Sequence, residues 1–87
     1  MTKGEQFREM LVAARKAKGL TQMDVTLALG MRQPVSASRW ETGASMPDPP
    51  KFERLIALLG LDADPAWELW GLAYAERVRA GVSALEG

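Results

Sequence analysis

The sequence contains no cysteine and no histidine. Without cysteine there is no disulfide framework and no thiolate chemistry. Without histidine the chain lacks the commonest metal ligand and the commonest general base. Catalysis is therefore not expected, and no cofactor, metal or small-molecule ligand is implied. No P-loop or other glycine-rich phosphate cradle is found. No apolar run approaches the roughly 18 residues that a membrane helix needs. The N-terminal MTKGEQFREM has none of the apolar core of a signal peptide. A cytoplasmic protein without membrane contact is the expectation. Strand signals are missing too, as are internal repeats and low-complexity tracts.

What remains is an ordinary globular composition in 87 residues, 47% apolar and 25% charged. That length allows one small domain, residues 1–87, around one modest core. The formal net charge is zero, but its distribution is uneven. Residues 1–40 carry Lys3, Arg8, Arg15, Lys16, Lys18, Arg32 and Arg39 against Glu5, Glu9 and Asp24, a balance of +4. Residues 41–87 balance it at −4. One reading is a face for a polyanion. The other is chance, since 11 charges of each sign often split unevenly.

Glycines and prolines divide the chain into five helical pieces. The first runs from about Gly4 to Lys18, with Phe7, Met10, Leu11 and Ala14 at spacings of three and four. Gly19 stops it. The second opens at Thr21, an N-cap with Asp24 three residues on, and ends at Gly30. The third starts at Pro34, whose ring suits a first turn, and ends before Gly43. The fourth, about Pro49 to Leu59, follows the cap candidate Asp48 and buries Phe52, Leu55, Ile56 and Leu59. The fifth opens at Asp64-Pro65. Its stripe of Trp67, Trp70, Tyr74, Val78 and Leu85 extends over about 65–85, weakened at Gly71 and Gly81. The fold class is all-α, with five helices and a helix-turn-helix over about 21–42.

A helix-turn-helix works because its first helix braces a second, whose free face meets base edges in the major groove. With Trp40 at the centre of the buried side, about 100° per residue puts Ser36 and Ala37 beside it. Val35, Ser38 and Arg39 then face outward, with Arg32 and Gln33 at or before the helix start. These residue types match guanine and adenine edges and the thymine methyl.

The stretches Ala14–Gln22, Leu29-Gly30, Ser38–Gly43, Pro47 and Leu58–Leu61 together resemble the Cro/phage-repressor, XRE-type helix-turn-helix family. The likeness covers roughly Phe7 to Leu61. It implies a compact five-helix, lambda-repressor-like domain that binds double-stranded operator DNA as a homodimer. By that likeness Gln22 touches a phosphate, and Gln33, Val35, Ser38 and Arg39 face the groove. Arg15 and Glu41 match an ion pair that orients the third helix; a DNA contact or a solvated charge are the other readings of Arg15. Three departures stand out. Gly30 to Trp40 is ten residues where the family usually has nine, Thr26 replaces a small alanine, and the loop after Gly43 lacks the usual basic residue. Ser45 and Lys51 are the remaining candidates there for phosphate. With few cations, a shallow salt dependence is expected.

Three tryptophans could suggest base stacking. Trp40 reads better as core. Trp67, Trp70, Tyr74 and Val78 read as part core and part dimer interface, against a single core with a frayed tail. Asp62, Asp64 and Glu68 read as caps and solvated charges rather than a cation site. The functional expectation is a transcriptional regulator, a repressor by economy of size. The rival is a protein-interaction module on the same fold, antitoxin-like or anti-regulator.

Overall fold

The computed structural model describes residues 1–82 and 85–86. It contains helices α1 (Lys3–Ala17), α2 (Gln22–Ala28), α3 (Val35–Thr42), α4 (Pro49–Leu59) and α5 (Ala63–Arg79). Two short strands, β1 (Met46–Pro47) and β2 (Leu85–Glu86), pair in parallel with Met46 opposite Leu85. The fold is all-α apart from this bridge. Two residues per strand are too few to show any alternation in sequence.

Helix starts follow local chemistry. Thr2 caps α1 one residue earlier than its apolar pattern suggests. Its hydroxyl accepts from the Glu5 amide at 3.1 Å, and Glu5 Oε1 accepts from the Thr2 amide at 3.3 Å. Thr21 and Asp24 make the same reciprocal box at α2, at 3.0 and 2.8 Å. Asp48 caps α4 by accepting from the Lys51 amide at 3.0 Å, with prolines in the first turn. α3 begins after Pro34 and has no side-chain cap.

α5 departs from its sequence pattern at both ends. Asp62, not Asp64, is its N-cap residue, and it makes no side-chain cap bond. The helix stops at Arg79, where Gly81 takes a φ of 79° and Val82 donates back to the Arg77 carbonyl at 2.8 Å. Leu85 therefore lies in β2, off the helical stripe.

The chain turns tightly where α2 ends. Gly30 donates to Leu27 O and Met31 to Thr26 O, both at 3.0 Å, which turns the chain and lays Met31 half-buried against the core. Arg54 Nη1 reaches across to the Leu29 carbonyl at 3.3 Å. Thr26 is fully buried between helices, and its hydroxyl donates to the Gln22 carbonyl at 2.8 Å.

The core gathers Phe7, Leu11, Val25, Leu29, Ala37, Trp40, Phe52, Leu55 and Leu59. From Phe52 an aromatic ladder continues outward. Phe7 and Phe52 have centroids 5.3 Å apart, and Trp67 meets Phe52 edge-on at 4.8 Å. Trp70 meets Trp67 at 5.7 Å, and Tyr74 stacks on Trp70 at 5.2 Å. Three of the four dimer-interface candidates are thus half-buried within their own chain. Val78 is the exception, half-exposed at 50%.

Candidate nucleic-acid interface

α3 is short, and its alternatives are decided by what it buries. Ala37 and Trp40 are 2% exposed and face the core. Val35, on the other side, is 56% exposed. Ser38 and Arg39 are half-buried beside it, and Arg32 and Gln33 are exposed in the preceding turn. One outer surface thus carries two guanidinium groups, an amide, a methyl-bearing side chain and a hydroxyl. These groups can donate to, accept from and pack against base edges.

The orientation of α3 is fixed at its C-terminal half. Arg15 on α1 donates from Nε to Glu41 Oε2 at 2.7 Å and from Nη2 to Glu41 Oε1 at 3.1 Å. Both side chains are largely buried. The hydrogen bond to Glu41 holds the Arg15 guanidinium in its charged form even more firmly than usual. Arg15 Nη1 also donates to the Leu20 carbonyl at 2.8 Å, tying the end of α1 to the same pair.

Gln22 is half-buried, and its amide Nε2 donates to Glu41 Oε1 at 3.0 Å. It stands in the brace rather than pointing free from the helix start. Lys51 is half-buried at the start of α4. Ser45 corrects an expectation. It is 1% exposed, and its hydroxyl has no hydrogen-bond partner, so burial takes it out of reach of a phosphate.

Sequence reasoning missed three contacts made to the end of α3 and the segment that follows it. Arg77 on α5 donates from Nη1 to the Gly43 carbonyl at 2.8 Å and from Nη2 to the Ala44 carbonyl at 3.0 Å. Arg8 on α1 lies over Gly43, where an added Cβ would stand 2.7 Å from its Nη1. Trp70 Nε1 donates to the Pro47 carbonyl at 2.9 Å. Bonds between residues more than twenty positions apart leave no local pattern to find. The one available signal was the glycine at 43, whose φ of 86° suits a helix end.

Among the described residues no cluster of three or more acidic residues could hold a metal, and no helix is long and apolar enough to cross a membrane. No curated protein and no solved structure matches the chain significantly. Residues 6–69 match the family described as "Helix-turn-helix domain", which takes in α1 to α4, the brace and the first part of α5. Such a domain suggests a DNA-binding regulator, and with the match spanning most of its length the chain belongs to this helix-turn-helix domain family.

Proposed function

We propose that this protein is a sequence-specific, DNA-binding transcriptional regulator of the Cro/phage-repressor kind. It acts as a homodimer on a two-fold operator and represses by occluding a promoter. The observation that carries the reading is the outer face of α3, Val35 with Ser38 and Arg39, on a helix braced by the Arg15–Glu41 pair.

In this reading α3 enters the major groove. Arg39 donates to a guanine edge, Val35 meets a thymine methyl, and Ser38 bonds either kind of base. Arg32 and Gln33 reach bases or the flanking backbone from the turn before α3. Lys51 and the free part of the Gln22 amide approach phosphates. The dimer forms through the exposed side of α5 and the turn beyond it, where Leu72, Val78 and Val82 are 42%, 50% and 49% exposed. The half-buried aromatics Trp67, Trp70 and Tyr74 stiffen that surface from beneath.

The test is selection from random duplex DNA, followed by anisotropy titration of the enriched site. Enrichment of a two-fold sequence is expected, with a shallow salt dependence. Arg39→Ala should weaken specific binding about tenfold or more. Unchanged affinity in that variant removes α3 as the reader.

A second reading is favoured by Met23 and Leu27, which expose apolar surface one turn apart on α2, at 41% and 61%. Together with Val35 they would suit a protein partner. If no sequence is enriched even at low ionic strength, the antitoxin-like or anti-regulator module becomes the better account.

A further inference from the structure

The part of the chain beyond the family match closes on one loop. The match ends at residue 69. Trp70, Arg77 and Leu85, all past that point, hold the segment that follows α3. Arg77 takes the carbonyls of Gly43 and Ala44, Trp70 takes that of Pro47, and Leu85 pairs with Met46. Next to Arg77, Glu76 accepts the Lys3 amide at 3.0 Å and the Gly4 amide at 3.1 Å, which anchors the clamp to the start of α1. From these contacts we infer that the part of α5 beyond residue 69, together with Leu85, positions the reading helix, and that Arg77 is its principal positioning residue.

The physical case rests on how α3 ends. The Arg39 carbonyl accepts the amides of Gly43, Ala44 and Ser45, at 3.0, 3.0 and 3.3 Å. Just past the helix, the carbonyls of Gly43 and Ala44 accept from the two arms of the Arg77 fork. A planar guanidinium can take two adjacent carbonyls at once in fixed geometry, which an ammonium cannot. The cation also stands at the negative end of the α3 dipole. The Arg15–Glu41 pair fixes α3 from the α1 side, and Arg77 fixes its end from the α5 side. Two separate anchors are needed to define the direction of a helix only eight residues long. Arg77 touches no DNA in this arrangement; it acts through α3.

The consequence for reading rests on the DNA-binding proposal above, while the clamp itself is measurable in the free protein. Amide hydrogen exchange at Gly43, Ala44 and Ser45 is compared in the full-length wild type, Arg77→Ala, Arg77→Lys and Arg79→Ala. Arg79 is exposed on the same helix and controls for lost charge. Core amides at Phe52 and Leu55 report global opening. Arg77→Ala should speed exchange at the three loop amides at least tenfold beyond the change in the core amides. Arg77→Lys should recover less than half of that protection, and Arg79→Ala should leave it unchanged. On an enriched site, Arg77→Ala should lower specific affinity about tenfold while non-specific affinity falls no more than in Arg79→Ala.

Loop amides that follow the core amides in every variant overturn the clamp. Faster loop exchange with no loss of specificity overturns the positioning role. If the wild type enriches no site, the DNA reading fails, and the exchange comparison alone decides the clamp. If Arg77→Ala does not fold, the comparison of Arg77→Lys with Arg79→Ala decides it.

Discussion

Glu41 accepts three hydrogen bonds, two from Arg15 and one from Gln22, with its side chain only 12% exposed. A largely buried carboxylate is tolerable only while these partners remain. Arg15→Ala removes two of them and strands the charge. The expected cost is about 3 kcal/mol in denaturant unfolding. Replacing both partners by leucine and methionine should cost much less, because no charge is then left buried. Ser45 presents the opposite case. Its hydroxyl is buried without a partner, so Ser45→Ala should be neutral or stabilise by up to about 1 kcal/mol in a thermal melt. The same variant should leave DNA affinity unchanged.

At the scale of elements, α1 and α2 are held open to acid by the same device. The amide and hydroxyl of Thr2 hold the Glu5 carboxyl below its usual range, and those of Thr21 do so for Asp24. A carboxyl with a lowered folded-state pKa is less protonated in the folded chain than in the unfolded one. Its contribution is complete above the ordinary carboxylate range and is lost as pH falls through the folded value. Thermal midpoints should therefore drop as pH falls below the ordinary carboxylate range, and Asp24→Asn should flatten part of that slope. These boxes also show what was legible in sequence. Thr21 and Asp24 announce α2, and Asp48 with two prolines announces α4. Thr2 and Glu5 carry the same signal but lie ahead of the apolar stripe that marks α1. The buried side of α3 was readable from Ala37 and Trp40. The burial of Ser45 was not, because it depends on contacts from α1 and α5. Nor was the end of α5, where Gly81 reverses a helix that the stripe to Leu85 continued.

Across the whole molecule the sequence halves do not become two separate faces. Glu41 and Glu76 belong to the acidic half, yet they are engaged by Arg15 and by the first amides of α1. Part of the charge asymmetry is thus consumed inside a body of 32 × 24 × 21 Å. The Glu76 contacts also join residues 72 and 73 positions apart, nearly the full span of the chain. Closing so long a loop is costly and comes late, after nearby helices have paired. The expectation is that the helix-turn-helix forms first and the segment that locks it docks last. Contacts absent from the folding transition state govern how fast the native state opens. Arg77→Ala and Glu76→Gln should accordingly raise the unfolding rate severalfold and leave the refolding rate nearly unchanged in stopped-flow chevrons. Residence in the reading-competent state would then be timed by the last turns of α5.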